Sequence, residues 1–270
     1  MTVQADLHMH STASDGQYSP SEVVSLAQRA GVQVMALTDH DTLDGLPEAQ
    51  EAGERLGIRV LRGIELGAKE YRSLHILGYQ FSQEAPALRA LCQKLVDSRN
   101  QRKYRLVDYL KERGVPVDLA EVEAVAGGSV IARPHFARVM VAHGYVQTTK
   151  EAFDRYLDTS AFQKIERFKA DARTCIETIH ADGGLVSLAH PYQLKMENED
   201  LEQLVARLKG YGLDALECWY PRHTPEQREF YLSLARKYDL RVSGGNDFHG
   251  EKVKPDIHIQ PLSLDLDWLF

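Results

Sequence analysis

Cysteine is scarce in this sequence of 270 residues, which contains only Cys92, Cys175 and Cys218. The three lie far apart, their number is odd, and no Cys-x-x-Cys pair occurs. Neither a disulfide framework nor a thiolate zinc site is therefore indicated. We expect all three to be buried or half-buried thiols.

Long apolar runs and an excess of basic charge are also absent. No stretch approaches the roughly 18 apolar residues that a membrane helix needs. The first residues, Met1 to Asp6, have neither the basic nor the apolar region of a signal peptide. Asp and Glu (39) outnumber Lys and Arg (32), which gives a formal charge of -7 and argues against duplex nucleic acid as a partner. We expect a cytoplasmic protein that does not bind membranes.

The composition is that of an ordinary globular protein, with 43% hydrophobic and 26% charged residues. It excludes a disordered or a fibrous chain. Short apolar runs alternate with helical patterns, which is the order expected of an α/β sheet or barrel of parallel strands. Strands are predicted at residues 3–7, 32–37, 59–66, 74–79, 185–189, 213–218 and 240–243, with 257–262 as a further candidate.

Helices are predicted between these strands, and two of them begin with a capping box. The segments 19–22 and 224–227 each combine an N-cap hydroxyl, a proline at the first helical position and a Glu or Gln at the third. The pattern is interrupted once, because residues 85–160 show helical signals and no strand. The helices are predicted at residues 20–30, 46–56, 86–113, 119–126, 134–142, 149–156, 172–181, 198–209 and 225–238.

We therefore predict a discontinuous barrel domain, residues 1–84 and 161–270, and a helical insert, residues 85–160. About seven strand-and-helix units remain once the insert is set aside. An eight-fold barrel, or a near relative with one unit fewer, closes such a chain. Chemistry in these barrels lies where strands end, so reactive side chains at the strand ends are the first candidates for a functional site.

Side chains that bind metals follow several of the predicted strands. His8 and His10 are separated by one residue and therefore point to the same side of an extended chain. Glu65 ends a run that ought to be buried, where an unpaired charge is costly. Taken singly, each residue has an ordinary explanation, and for His75 alone a core histidine is the better one. The other candidates at or near strand ends are Asp15, His40, His75, His190, Asp247 and His249.

Together these residues include six of the eleven histidines and three carboxylates, which core packing does not require. We interpret them as a metal centre. Nine side chains exceed what one cation accepts, since zinc takes about four ligands and related ions about four to six. Two or three divalent ions are expected, and Glu65 can bridge two of them. Imidazole and carboxylate ligands suit Mn²⁺, Zn²⁺ or Fe²⁺ equally well.

The order and spacing of these motifs resemble those of the PHP family, the polymerase and histidinol phosphatase phosphoesterases. The resemblance covers nearly the whole chain and is specific, because five separate motifs recur in sequence. It rests on Asp6-Leu7-His8-Met9-His10-Ser11 with Ser14-Asp15-Gly16, Thr38-Asp39-His40-Asp41, Gly63-Ile64-Glu65, Ala189-His190-Pro191 and Asn246-Asp247-Phe248-His249.

The resemblance implies a distorted (β/α)7 barrel of TIM type with a trinuclear centre. Asp15 stands where some members have histidine, which bears on the affinity of the third ion. By motif, the implied ligands are His8, His10, Glu65 and Asp247 for the first ion, Glu65, His75 and His190 for the second, and Asp15, His40 and His249 for the third.

Within the family, the segment 131–138 resembles that of the subgroup that removes the 3′-phosphate from nucleoside 3′,5′-bisphosphates. Some relatives of this subgroup trim short RNA from a 5′ end. Arg133 offers a planar fork of donors suited to phosphate, and Pro134 can start a helix whose N-terminus favours anions. We predict that Arg133 and His135 are catalytic residues that orient a substrate phosphate, and that the insert covers the active site. A surface arginine in a helix cap is the alternative.

The sequence departs from the pattern of the bisphosphatase relatives at one expected phosphate contact. Tyr192-Gln193-Leu194 stands where the bisphosphatase relatives are expected to have a glycine and an arginine. His223, in the segment 220–223, is a candidate substitute for binding substrate. A loop that leads into the capped helix at Thr224 explains that segment nearly as well.

The sequence therefore predicts a metal-dependent phosphoesterase that hydrolyses a phosphomonoester by means of a hydroxide bridging two ions. The first candidate substrate is a nucleoside 3′,5′-bisphosphate. The general acid is either a metal-bound water or His135. Four alternatives stay open: a 5′-3′ exoribonuclease acting on short RNA, an enzyme like histidinol phosphatase, an amidohydrolase or deaminase, and a non-catalytic metal-binding regulatory module.

Overall fold

The structure is a computed structural model that describes residues 2–126, 131, 133–163, 165 and 168–270. It divides into two compact units, Met1–Cys92 with Lys169–Phe270, and Gln93–Phe168. The predicted domain limits, and the prediction that the insert covers the active site, stay predictions.

Eight strands form one sheet in the first unit, in the order β7-β6-β5-β4-β3-β2-β1-β8. The seven predicted strands all occur, and the fold class is α/β as expected. The candidate strand at 257–262 is wrong, because the last strand begins at Leu262 and pairs antiparallel with β1. The strands are β1 Thr2–Met9, β2 Val34–Leu37, β3 Arg59–Gly67, β4 His75–Tyr79, β5 Leu185–Leu188, β6 Ala215–Trp219, β7 Arg241–Gly244 and β8 Leu262–Asp265.

The sheet curls into a nearly closed barrel because the chain after β7 runs beside β1. The backbone amide of His10 donates to the carbonyl of Phe248 (2.9 Å), and the amide of Asp247 donates to the carbonyl of His8 (2.8 Å). A parallel bridge joins Met9 to Phe248. The ends of β1 and β7 are thereby brought side by side.

The expectation of parallel strands throughout is wrong for β4, which runs antiparallel to both β3 and β5. The link from Gly67 to His75 covers only residues 68–74. A parallel crossover needs about a dozen residues or more, so this link permits only an antiparallel return.

Ten α-helices occupy the described ranges. The two predicted capping boxes are confirmed, with Ser19 and Thr224 as the N-cap residues. The helix predicted at 149–156 is shorter than expected and continues as a π-helical turn, Phe153–Leu157. The helices are α1 Pro20–Arg29, α2 Leu46–Leu56, α3 Pro86–Lys111, α4 Leu119–Ala126, α5 Arg133–Ala142, α6 Thr149–Ala152, α7 Ser160–Gln163, α8 Ala172–Ala181, α9 Asn198–Tyr211 and α10 Pro225–Lys237.

Each unit has its own apolar core. In the first unit, Ala5 and Leu7 pack in a cluster with residues of β2, β3 and β4, while Asp6 and His8 point to the opposite face of β1 because side chains alternate along a strand. In the second unit, Leu110, Phe136 and Met140 are fully buried in a cluster that joins α3, α4 and α5. Both cores are consistent with the globular composition.

Two further findings bear on the sequence predictions. The three cysteines are free and buried, as expected, and burial raises the pKa of Cys92 to about 12. Over the described ranges, none of the helices combines the length and the apolar character that crossing a bilayer requires.

Candidate metal centre

The nine predicted ligands are brought together at one edge of the barrel. Parallel strands present their carboxyl ends at the same edge, so residues that end β1, β2, β3, β5 and β7 are neighbours in space. His75 reaches this edge for a different reason. It is the first residue of the antiparallel strand β4 and pairs with Gly67, at the carboxyl end of β3.

The first group of donors contains His8, His10, Glu65 and Asp247, all of them buried. Glu65 Oε2 lies 3.0 Å from Nε2 of His8 and 3.0 Å from Nε2 of His10. Asp247 Oδ1 lies 3.6 and 3.4 Å from the same two nitrogens. This set is the one that the family resemblance implied for the first ion.

The second group forms around the other oxygen of Glu65. Glu65 Oε1 lies 2.7 Å from Nδ1 of His75 and 3.0 Å from Nε2 of His190. These two nitrogens are 3.3 Å apart. The two oxygens of one carboxylate therefore face two different sets of imidazoles, as a bridging ligand requires.

The third group contains Asp15, His40 and His249, and His10 joins it through its other ring nitrogen. Asp15 Oδ1 lies 3.2 Å from Nε2 of His249 and 3.8 Å from Nδ1 of His10. Asp15 is 56% exposed, in contrast to the buried carboxylates of the first group. His40 also lies 3.4 Å from Glu65 Oε2 and forms a further group with Glu65 and His75.

The arrangement fits divalent cations. Both ring nitrogens of His10 are buried and have no hydrogen-bond partner among the described residues, although Nε2 is only 3.0 Å from Glu65 Oε2. Two polar atoms that lie this close without the alignment of a hydrogen bond are positioned to bind one cation together. Imidazole and carboxylate donors without thiolate suit Zn²⁺, Mn²⁺ or Fe²⁺.

Burial disfavours the charged form of these groups, whereas their attraction to one another favours it. Burial would raise the pKa of Glu65, but the surrounding imidazoles, His40 and His8 foremost, hold this pKa well below its usual value. Burial would likewise raise the pKa of Asp247, and His8 and His10 hold it low. Burial would lower the pKa of His10, but Asp247 and Glu65 raise it to about 9. The carboxylates are therefore ionised at neutral pH, as metal ligands must be.

The backbone is unusual at two of the candidate ligands. His190 has φ +25° and Asp247 has φ +55°, a region that residues other than glycine rarely adopt. Such outliers concentrate at functional sites, where the surrounding structure enforces them. Gly245 permits the close approach beside them, because a Cβ at this position would lie 2.3 Å from Cβ of His8.

Supporting residues that the sequence analysis did not single out surround the ligands. Glu217, fully buried in β6, accepts hydrogen bonds from Nδ1 of His8 and from the backbone amide of His190. The sequence does contain a signal for Glu217, because it is a carboxylate in an apolar strand, as Glu65 is. Asp39, also buried, accepts from the amide and hydroxyl of Ser11 and orders the loop after β1.

Asp247 has further partners on its second oxygen. Lys254 Nζ donates to Asp247 Oδ2 over 2.6 Å, and the Tyr220 hydroxyl donates to it over 3.1 Å. These contacts hold Oδ2 away from the imidazoles, so that Oδ1 faces His8 and His10. No sequence signal pointed to Lys254, which lies beyond the last motif.

The predicted substrate contacts lie apart in the sequence from the ligand motifs. Arg133 and His135 belong to α5 of the second unit, where Arg133 Nη1 donates to Asp158 Oδ1 (2.9 Å) and to the Leu157 carbonyl (3.2 Å). His135 is half-buried. The contact of both residues with substrate stays a prediction.

His223 lies between β6 and α10 and is buried. Its Nδ1–H donates to the carbonyl of Cys218 (3.0 Å), and burial lowers its pKa, so the ring is neutral at pH 7. Its Nε2 has no hydrogen-bond partner among the described residues and is left as an acceptor. Its neighbour Arg222 forms a two-pronged ion pair with Asp256, at 2.9 and 2.6 Å.

The chain is similar to several known proteins. Residues 6–181 match the model of the PHP domain. The chain is 40% identical over 252 residues to a 5′-3′ exoribonuclease of Haemophilus influenzae, covering 92% of this chain and 91% of that protein. It is 35% identical to a phosphoribosyl 1,2-cyclic phosphate 1,2-diphosphodiesterase of Eggerthella lenta, covering 91% and 94%.

Two more proteins extend the comparison. A 3′,5′-nucleoside bisphosphate phosphatase of Chromobacterium violaceum is 29% identical over 253 residues, covering 90% of this chain and 86% of that protein. A solved structure of a predicted metal-dependent phosphoesterase from Bifidobacterium adolescentis superposes with a TM-score of 0.71 at 32% identity, covering 97% of this chain and 92% of that one. Each of these proteins is similar to this chain over nearly its whole length.

Proposed function

The chain belongs to the PHP domain family and is a metal-dependent phosphoesterase, and on this premise we propose that it hydrolyses the 3′-phosphoester bond of a 5′-phosphorylated nucleotide. Nucleoside 3′,5′-bisphosphates are the first candidate substrates, in line with the relative of Chromobacterium violaceum. The observation that carries the proposal is the position of Glu65, whose two oxygens face two separate sets of imidazoles.

The proposed ligands are the nine predicted residues, in the three sets given above. Bound divalent ions supply a water of lowered pKa and neutralise charge on the phosphoryl oxygens. The chain's own part is to hold the donors close together, with both ring nitrogens of His10 lacking a hydrogen-bond partner among the described residues. The orphaned nitrogens of His10 support this role, because a buried polar atom is otherwise satisfied within the protein.

Substrate recognition is assigned to Arg133, His135 and His223. A guanidinium fork can bind a phosphate through two parallel hydrogen bonds. The neutral ring of His223, with its Nδ1–H engaged by a carbonyl, offers Nε2 to a hydroxyl donor such as a ribose or water. His135 and water remain the two candidates for the group that protonates the leaving oxygen.

The second candidate function is 5′-3′ exoribonuclease activity on short RNA, favoured by the 40% identity to the relative of Haemophilus influenzae. Both reactions break the bond between a ribose 3′-oxygen and phosphorus. They differ in what the 3′-phosphate carries, which is nothing in a bisphosphate and the next nucleotide in RNA. Chain length of the substrate therefore separates them.

The test is a comparison of initial rates with Mn²⁺ on adenosine 3′,5′-bisphosphate, a 5′-phosphorylated trinucleotide, the same trinucleotide with a 5′-hydroxyl, and histidinol phosphate. We expect the bisphosphate to be hydrolysed fastest and histidinol phosphate slowest. A faster rate on the phosphorylated trinucleotide favours the exoribonuclease, and equal rates on the two trinucleotides contradict the requirement for a 5′-phosphate.

A matched pair of variants tests the recognition residue. Arg133→Ala should raise KM for the bisphosphate, whereas Arg138→Ala, an exposed arginine of the same helix, should leave KM unchanged. An unchanged KM in both variants contradicts the role given to Arg133.

A further inference from the structure

We propose that Glu217 is a positioning residue of the metal centre, whose carboxylate fixes the imidazole of His8 and the backbone of His190 at the same time. The proposal rests on the ligand roles proposed above for these two histidines. It concerns a residue that belongs to none of the donor groups described above, since Glu217 contacts the ligands His8 and His190 and not the space between the donors.

The contact with His8 determines which ring nitrogen faces the metal centre. Glu217 Oε1 lies 3.0 Å from Nδ1 of His8, and both side chains are completely buried. A carboxylate oxygen accepts a hydrogen bond, so we assign the hydrogen of this pair to Nδ1 of His8. Nε2 is then the ligating nitrogen, and it lies 3.0 Å from Glu65 Oε2. Ligating histidines commonly donate their second N–H to a carboxylate in this way, which fixes the ring and strengthens it as a ligand.

The contact with His190 stabilises a strained turn. The His190 backbone has φ +25° and ψ +64°, and its amide donates to Glu217 Oε2 over 2.6 Å. This turn directs the His190 ring towards Glu65, where Nε2 lies 3.0 Å from Oε1. Without the acceptor, a buried backbone amide would lose its partner and the turn would lose a restraint.

The two contacts couple the first donor group to the second. His8 belongs to the set around Glu65 Oε2, and His190 belongs to the set around Glu65 Oε1. Glu217 is thus a second carboxylate that contacts a member of each set, through Nδ1 of His8 and the backbone amide of His190. Within the part of the chain that the structure describes, Glu217 forms no hydrogen bond or ion pair with Asp15, His40 or His249.

The test uses Glu217→Gln, which keeps the shape of the side chain but replaces one accepting oxygen with an NH₂ group. If the amide oxygen keeps the His190 amide, the NH₂ group faces Nδ1 of His8 and cannot accept its hydrogen. We expect the metal-free wild-type protein to show a His8 Nδ1–H resonance protected from exchange in ¹⁵N-edited NMR spectra. We expect Glu217→Gln to lack it and to bind Mn²⁺ about 10–100-fold more weakly in calorimetric titration.

Asp182→Asn is the matched control. Asp182 is a buried carboxylate of the same unit, and it accepts from the backbone amides of Ala87 and Leu88. Its replacement by asparagine removes a buried carboxyl group that contacts none of the donor groups. We expect it to lower stability while both the His8 resonance and the Mn²⁺ affinity remain those of the wild type.

The outcomes separate this proposal from the one on which it rests. A wild-type protein that binds no Mn²⁺ contradicts the ligand sets, and the NMR measurement on the metal-free protein still decides the role of Glu217. The role is wrong if wild-type His8 shows no protected Nδ1–H, or if folded Glu217→Gln retains both that resonance and the wild-type affinity. Circular dichroism establishes folding of each variant. Glu217→Asp, which keeps a carboxyl group at this position, should bind Mn²⁺ more tightly than Glu217→Gln does.

Discussion

His10 and Glu65 approach within 3.0 Å, Nε2 to Oε2, and yet this pair lacks the alignment of a hydrogen bond. Both side chains are buried, so neither is satisfied by bulk water. The same carboxylate reaches His75 through its other oxygen, at 2.7 Å. The geometry is that of ligands arranged around shared positions, and it makes Glu65 the residue on which the centre depends most.

Glu65→Gln should reduce the metal content of the dialysed protein and lower phosphoesterase activity by more than about 100-fold, beyond the loss typical of residues outside the ligand set. The amide keeps the size of the side chain but removes the charge that two sets of imidazoles share. Metal content is measured by elemental analysis and activity by phosphate release. The exposed Glu51→Gln serves as control. Retention of wild-type metal content by Glu65→Gln would contradict the bridging role.

Divalent ions should stabilise the folded chain. A ligand that binds only the native state at 100 times its Kd adds about 2.7 kcal/mol to the free energy of unfolding. We expect Mn²⁺ to raise Tm by several degrees over the protein in chelator, and Glu65→Gln to show little of this increase. Differential scanning calorimetry measures both. Identical Tm values for the wild type with Mn²⁺ and with chelator would count against a metal centre.

Lys254→Met tests whether Lys254 holds the Asp247 carboxylate in its orientation. Lys254 Nζ donates to Asp247 Oδ2, the oxygen that faces away from the imidazoles. Its loss should allow this carboxylate to reorient and should weaken Mn²⁺ binding by about tenfold or more. Calorimetric titration measures the affinity, with the exposed Lys252→Met as control. Equal affinities in the two variants would show that the lysine does not orient Asp247.

The stability of α8 should depend on pH through Asp171. Its side chain caps the helix by accepting from the amide and hydroxyl of Thr174, and these bonds, with Lys69, lower its pKa to about 2. A lowered carboxyl pKa contributes stability above the unfolded value near 4, and this contribution is lost as pH falls towards 2.

Asp171→Ala should therefore lower the free energy of unfolding by about 1 kcal/mol at pH 7, the usual value for such a cap. The partly exposed ion pair with Lys69 adds little to this value. The difference from wild type should shrink as pH falls from about 4 towards 2. Urea unfolding at several pH values measures it. Asp171→Asn, which can still cap, should lose less at pH 7. A difference that does not change with pH would contradict the assignment.

The strands and most candidate ligands were accessible from sequence because their signals are local. His8 and His10 alternate along one strand, and Glu65 stands out as a charge in an apolar run. Barrel geometry then brings the strand ends together without further information. The antiparallel direction of β4 follows from the short link 68–74, which departs from the repeating strand-helix pattern on which the prediction of parallel strands rests.

Other features depend on pairings between distant parts of the chain. Glu217 is a carboxylate in an apolar strand, as Glu65 is, but its role depends on contacts with His8 in β1 and with the His190 backbone after β5. Lys254 becomes significant only once its neighbour Asp247 is in place. Likewise, the last strand was predicted several residues too early because its position is set by pairing with β1 rather than by its own sequence.

The most direct test of the account is anomalous diffraction from crystals of the Mn²⁺-loaded protein, recorded near the manganese edge. The account predicts at least two anomalous peaks on either side of Glu65, one within ligand distance of His8, His10 and Asp247 and the other within ligand distance of His75 and His190. Peaks confined to the protein surface, or no peak beside Glu65 in a fully loaded crystal, would contradict it.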